Sequence, residues 1–339
     1  SGWRMSSNWK QRPEGGSRFS LWLIRSIARY GGRPLARVFL YPITLYYLLV
    51  RGPERRASRE YLARVFGQPA SLLQVARHLH TFAATILDRV FLLGGRMDGF
   101  EVNVTGLPQL HAALDPGQGV LLFGSHLGSF EVLRVLAQQR PEYKIRVVLD
   151  KAHNPAVTQM LDTLNPEIAA GVIDAGQDGP SIAMAIKQAT DEGALVALLV
   201  DRARPGEPAL KAPLLGGNAP FPTAPWLIAS ALKVPVVLAF GLYRGGHRYD
   251  LVFESFSDGI AVPRQQRAQA LLALIQRYAA RLEHHARIAP YNWFNFYDFW
   301  GSEDEGSTPS THDTPRIVAV EHADADAAVQ RRTGAQHRS

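Results

Sequence analysis

Cysteine is absent from all 339 residues. That absence excludes disulfide scaffolds, thiolate-ligated zinc and iron–sulfur centres, and thiol nucleophiles together. Any chemistry must rest on His, Ser, Asp, Glu, Lys or Arg. Acidic residues are scarce where the chain begins: residues 1–100 hold 16 Lys and Arg against 5 Asp and Glu, whereas the rest of the chain holds 21 against 25. A basic first third ahead of a mildly acidic body fits an anionic counterpart such as a phospholipid surface, or a solvated arginine-rich face. The uncharged apolar run Val38 to Val50 (VFLYPITLYYLLV) is only 13 residues long, where a spanning helix needs about 20. Several signatures are missing as well. There is no G-x-S-x-G, because Gly124-Ser125-His126-Leu127-Gly128 carries His where the serine nucleophile would stand. There is no phosphate-binding G-x-x-x-x-G-K-[ST], no H-E-x-x-H, and no G-x-G-x-x-G after a strand. His284 and His285 are adjacent on a helical pattern and diverge by about 100°, so they do not share a metal. No metal or other cofactor is expected.

What is present begins with the flanks of that apolar run. Arg29, Arg33 and Arg37 precede it, Arg51, Arg55 and Arg56 follow it, and Pro42 interrupts it. Positive charge on both sides lacks the asymmetry of a spanning segment. Phe19, Leu21, Trp22, Leu23 and Ile24 form a second apolar patch, and Trp22, Tyr41, Tyr46 and Tyr47 suit the headgroup level. Residues 1–100 therefore read as a basic, apolar, helical membrane-associating region, with a buried helical hairpin as the alternative. The expected location is the cytoplasmic face of the inner (plasma) membrane, held peripherally or monotopically. Nucleic acid is not an expected partner, because the aromatics sit within aliphatic sequence rather than between basic residues.

Beyond this region, strand-length apolar runs alternate with amphipathic stretches. Val120–Gly124 precedes 130–139, Ile145–Leu149 precedes 156–164, and 171–175 precedes 182–190; then come 194–200, Ala224–Leu232 and 234–240. Such alternation needs crossover connections and predicts an α/β fold, a mixed but largely parallel sheet flanked by helices, over residues 101–300. Tyr249 to Phe253 follows the turn Gly245-Gly246-His247 and pairs back as a hairpin. Residues 264–287 carry apolar positions at helical spacing. From 301 to 339 the composition is that of a disordered polar tail.

One segment carries a constellation. The strand before it ends at Gly124, His126 sits in the following turn, and Glu131 falls in the first turn of the next helix. With His126 outside the helix and Gly128 allowing a bend, Glu131 can reach back to Nδ1–H. It would then fix the tautomer and leave Nε2 as general base toward an acceptor hydroxyl. The backbone N–H groups around Gly128–Phe130 are the expected stabilisers of an oxyanion. The alternative is that Glu131 is a helix-start residue and His126 caps the turn. The site lies at the carboxyl end of a parallel strand, where ligands of such sheets bind.

The block Ser125-His126-Leu127-Gly128-Ser129-Phe130-Glu131 matches an H-x4-[DE] motif. Leu199-Val200-Asp201-Arg202, the stretch Leu214-Leu215-Gly216-Gly217-Asn218-Ala219-Pro220-Phe221-Pro222-Thr223-Ala224-Pro225, and Val234-Pro235-Val236 follow as further blocks. Over roughly residues 8–300 the chain resembles the lysophospholipid acyltransferase superfamily, in particular the lipid A late acyltransferase branch and related stand-alone bacterial acyltransferases. The resemblance implies His126 and Glu131 as catalytic residues. It implies Ser125, Gly128, Ser129, Lys151, Asn154, Asp201, Arg202 and Thr223 as substrate-binding positions, the stretch from Leu214 to Pro225 being a small-residue loop. Residues 165–178 contain no Arg, so recognition of the glycerol-3-phosphate type is not expected. The implied activity moves a fatty acyl group from an acyl carrier protein or coenzyme A thioester to a hydroxyl of a lipid or glycolipid-like acceptor. Asp201 and Arg202 follow the apolar run 194–200 and should emerge at the same carboxyl edge as His126. There Arg202 contacts an anionic or hydroxyl-rich part of donor or acceptor while Asp201 holds the Arg202 side chain or nearby backbone; the alternative for this pair is a mutual salt bridge at a strand end. The alternative is a non-catalytic membrane-peripheral lipid-binding protein of the same fold.

Overall fold

The computed structural model describes residues 32–301, apart from 97–98, 115–116, 134–142, 153 and 205. The expectations for the patch at residues 19–24, for Arg29 and for the tail from 302 onward lie outside the described residues.

Helix α1 (Gly32–Val38) leads into the apolar run, which folds as α2 (Leu40–Val50). Pro42 does not divide it. It stands in the first turn of α2, where the missing N–H leaves no bond unmade. Next come α3 (Gly52–Phe66) and α4 (Leu72–Leu93), the latter opened by a reciprocal Ser71–Gln74 capping box. No helix among the described residues is long and apolar enough to cross a membrane.

A short strand that sequence periodicity had not marked, β1 (Glu101–Thr105), and helix α5 (Leu107–Leu114) lead into β2 (Val120–Gly124), whose five residues are all buried. After it come β3 (Ile145–Leu149), α6 (Pro155–Leu164), α7 (Pro166–Ala170), β4 (Ile173–Asp174), α8 (Gly179–Asp191) and β5 (Leu195–Leu199). The expected helix 130–139 begins instead as a 3₁₀ turn, Phe130–Leu133; residues 134–139 lie outside the described set. The stretch from Leu214 to Pro225, expected as a small-residue loop, belongs to a two-stranded ribbon, β6 (Ala209–Leu214) and β7 (Gly217–Pro222), running into α9 (Ala224–Leu232). Leu215 and Gly216 make its turn with φ of 50° and 77°, the left-handed pair that a tight hairpin requires. The chain closes with β8 (Val236–Gly245), β9 (Arg248–Ser257) and α10 (Arg267–Ile288).

The main sheet has seven strands in the order β1-β9-β8-β2-β5-β3-β4. The pairs from β8 through β4 are parallel, β9 pairs antiparallel with β8 as the expected hairpin, and β1 runs parallel to β9. The fold is thus α/β with a mixed, mostly parallel sheet. Period-2 alternation along the central strands divides the core into two layers. Leu121, Phe123, Val196, Leu238 and Phe240 face α3, α9 and α10, packing on Leu62, Trp226, Ile275 and Tyr278. Val120, Leu122, Leu195, Val237 and Ala239 face α4 and α5, packing on Leu87, Phe91, Leu92 and Leu110. Each fully buried Leu or Phe in these layers contributes about 1.5–3 kcal/mol through removal from water.

Helices α1 to α4 belong to the same cores. Arg33 forms a bidentate pair with buried Asp88 of α4 at 2.8 and 2.9 Å, and Tyr249 of β9 donates to the same carboxylate at 2.9 Å. This pins α1 to helix and sheet at once. The outer surface of α1 and α2 is different: Leu35, Val38, Tyr41, Leu45, Tyr46 and Leu49 are all at least half exposed, up to 68% for Tyr41.

Candidate active site

Strands β2 and β5 are adjacent and parallel, with Gly124 in register with Leu199. His126 lies two residues beyond the first strand end and Asp201 two beyond the second. Register alone therefore brings them face to face at the carboxyl edge of the sheet. The ring Nδ1–H of His126 donates to Asp201 Oδ1 at 2.8 Å, and the His126 backbone N–H donates to Asp201 Oδ2 at 3.1 Å. The imidazole keeps 34% of its surface exposed while Asp201 is wholly buried. One ring nitrogen is therefore held inside and the ring remains accessible from outside.

Burial alone would push the Asp201 carboxyl up. The opposite charge and hydrogen bond of His126, the nearby Arg202 and the indole of Trp293 outweigh it and hold Asp201 well below the usual carboxylate range. The site thus keeps a buried, ionised carboxylate behind an exposed imidazole. This arrangement fixes the Nδ1–H tautomer and leaves the Nε2 lone pair bare.

Glu131 was the sequence-based choice for that position, and the structure puts it elsewhere. Its carboxylate lies 2.6 Å from Arg89 Nε of α4 and accepts from Ser129 Oγ at 2.9 Å. The cause is local. The chain after Gly128 enters a tight 3₁₀ turn at Phe130, and the turn aims Glu131 at α4. Gly128 does allow the expected bend, with φ of 78°. It also lies so close to β8 that a Cβ there would stand 1.9 Å from the Gly241 carbonyl oxygen. The expected oxyanion donors are largely spent on this packing: Gly128 N–H donates to the Asn292 carbonyl and Ser129 N–H to the Gly241 carbonyl, both at 2.8 Å.

Arg202, the other expected partner of Asp201, stands at the same edge with its Nε 4.0 Å from Asp201 Oδ2. It donates to the Phe294 carbonyl and lies 5.7 Å from the centre of the Tyr297 ring. Ser125 is buried at the base of the turn. The remaining sequence-derived positions are not joined to His126 by the hydrogen bonds seen among the described residues. Lys151 and Asn154 follow β3, one strand beyond β5; the Lys151 backbone N–H donates to Asp174 and the Asn154 amide to the Asp150 carbonyl. Thr223 precedes α9 and donates to the Pro208 carbonyl at 3.2 Å, closing the base of the β6–β7 ribbon.

Two residues that sequence reasoning left without a role belong to this site. Trp293 donates its indole N–H to Asp201 Oδ2 at 3.0 Å, and Arg89 holds Glu131. Neither contact has a local sequence signal. Trp293 lies 92 residues from its partner, and Arg89 is one of two arginines on a largely buried helix.

A search of curated proteins finds no significant match. The sequence model of the bacterial lipid A biosynthesis acyltransferases matches residues 43–301, a span that includes both sheets and the His126–Asp201 pair. The chain belongs to that acyltransferase family.

Proposed function

We propose that the protein transfers a fatty acyl group from a thioester, of acyl carrier protein or of coenzyme A, to a hydroxyl of a lipid or glycolipid-like acceptor. His126 acts as the general base. The observation that supports this most strongly is the exposed imidazole held by a buried, ionised Asp201 at the carboxyl edge of the sheet. The acceptor O–H proton passes to His126 Nε2 as its oxygen attacks the thioester carbonyl. The tetrahedral intermediate then collapses, breaking the C–S bond, and the thiolate leaves with the proton returned from His126. Asp201 stabilises the imidazolium formed on the way. The acyl group passes directly between substrates, with no acyl-enzyme. Glu131, paired with Arg89, braces the loop after His126. Arg202, anchored on Phe294 and Tyr297, receives an anionic or hydroxyl-rich part of donor or acceptor.

The exposed apolar face of α1 and α2 supports attachment to a membrane surface, which on this reading is the cytoplasmic face of the inner membrane. That position would put the acceptor lipid beside the sheet edge.

The test is acyl transfer from palmitoyl-coenzyme A and palmitoyl-carrier protein to a total membrane-lipid extract, read by mass spectrometry. His126→Ala should lower the rate by roughly 10²- to 10⁴-fold with its circular dichroism unchanged. A rate within about threefold of wild type would be far too small an effect for a general base and would overturn the mechanism.

A further inference from the structure

A carboxylate that orients an imidazole must itself be kept from turning, and the segment around Trp293 supplies that restraint. The chain at residues 292–294 runs antiparallel beside the histidine turn. Leu127 bridges to Trp293, Phe294 N–H donates to the His126 carbonyl at 3.0 Å, and Gly128 N–H donates to the Asn292 carbonyl at 2.8 Å. Asn292 is itself fixed to β8, its side-chain oxygen accepting from Tyr243 N–H at 2.7 Å.

Trp293 is fully buried. Its ring packs edge-on against Tyr61 and Phe299, with centroids 5.2 and 4.8 Å away. Its carbonyl accepts from His78 Nε2–H at 3.0 Å, and His78 Nδ1 in turn accepts from Ser58 Oγ–H at 2.8 Å. Held by backbone and ring together, the indole N–H has one direction available, and Asp201 Oδ2 lies along it at 3.0 Å.

We propose that Trp293 is a positioning residue for the acyl-transfer site, acting through Asp201: its N–H anchors Oδ2 so that Oδ1 stays on His126 Nδ1–H. The proposal rests on the reading of His126 as the base. The competing donor is Arg202, whose Nε lies 4.0 Å from the same Oδ2. Without the indole N–H, the carboxylate is free to turn toward this guanidinium and away from the imidazole. Tyr278 and Tyr297 are the other titratable groups facing Asp201; burial raises both hydroxyls, Tyr297 to about 12, so both stay neutral at working pH. A neutral imidazole released from its carboxylate redistributes its proton toward Nε2, and that tautomer has no lone pair at Nε2 to take the acceptor proton.

The test replaces Trp293 by 3-benzothienylalanine, which keeps the shape of the indole with sulfur in place of N–H; Trp293→Phe serves as a coarser companion. In the full-length protein, nitrogen-15 NMR of His126 at a pH where the ring is neutral should show mainly the Nδ1–H tautomer in wild type. The benzothienyl variant should show a mixture. With palmitoyl-coenzyme A and a membrane-lipid extract, its kcat should fall roughly 10- to 100-fold while the donor KM stays put. An unchanged tautomer ratio in the benzothienyl variant, or a loss of kcat only in Trp293→Phe, would overturn the proposal and leave Trp293 a packing residue. A wild-type protein that transfers no acyl group would instead overturn the functional reading, while the tautomer measurement still decides whether the indole positions the pair.

Discussion

An imidazole in water carries its neutral proton on either nitrogen, and taking a proton from a hydroxyl requires Nε2 to be the bare one. Asp201 removes that ambiguity by binding Nδ1–H at 2.8 Å from a fully buried position. The cost of burying the carboxylate is offset by three N–H donors, from the ring and backbone of His126 and from Trp293. The proposed substrate contact of Arg202 calls for a different experiment. Arg202→Lys keeps the charge but loses the planar fork that reaches Phe294 and faces Tyr297. The expected outcome is a raised KM for one substrate with little change in kcat. Unchanged kinetics with donor and acceptor alike would remove Arg202 from the binding surface. Of these residues, the place of His126 just beyond a strand end was legible in the sequence, because the apolar run Val120–Gly124 stops where the turn begins. Glu131 was misassigned to Nδ1 because sequence spacing does not reveal that Phe130 starts a 3₁₀ turn or that Arg89 waits on a distant helix.

At the scale of elements, the strand runs were legible. Val120–Gly124 and Ile145–Leu149 appear as read, the 194–200 run appears as Leu195–Leu199, and the hairpin at Gly245-Gly246 forms where the turn residues put it. Each is a dense apolar run bounded by turn residues, so hydrophobic periodicity carries the signal. Strand order was not legible, because it depends on which crossovers pack rather than on any local pattern. That β2 and β5 are neighbours is what converts two separate strand ends into one site. The short strand β1 and the β6–β7 ribbon escaped for a related reason. β1 alternates but holds only two apolar residues, Val102 and Val104, and β6 and β7 carry Pro213, Pro220 and Pro222, so their stability comes from pairing with β9 and with each other. Helix α4 adds a pH-dependent element. Burial pushes His78 down to about 4 from an ordinary 6.5, so below about 6.5 the unfolded chain takes up a proton that the folded protein refuses. Stability is therefore intact above that pH and declines as pH falls toward 4. Urea midpoints across this range should fall in wild type and flatten in His78→Gln; an equal slope in both proteins would mean that other groups set the acid sensitivity.

At the scale of the whole molecule, the histidine–carboxylate pair and the exposed apolar surface lie on different elements. The carboxyl edge of the sheet holds the His126–Asp201 pair. The outer face of α1 and α2 leaves Tyr41 and Leu49 two-thirds exposed, where a soluble surface would ordinarily carry polar residues. If that face rests on a bilayer, Leu45→Glu combined with Leu49→Glu should release the protein from vesicles containing anionic phospholipid and leave its thermal midpoint nearly unchanged. Raised salt should weaken wild-type binding only in part, since basic residues near the surface contribute about 1 kcal/mol each and apolar burial is insensitive to screening. Vesicle binding equal to wild type in the double variant would move the membrane contact to another surface.

Whether the base is a His126–Asp201 pair is decided by the acyl-transfer rate of Asp201→Asn beside that of Glu131→Gln. Asparagine keeps the size of the side chain but supplies neither the charge nor a second accepting oxygen, so the imidazole loses both its tautomer lock and its counter-ion. Asp201→Asn should lose roughly a hundredfold or more and Glu131→Gln less, with donor KM little changed in the former. If Asp201→Asn transfers acyl groups at about the wild-type rate while Glu131→Gln is inactive, the partner of the His126 base is Glu131 and not Asp201.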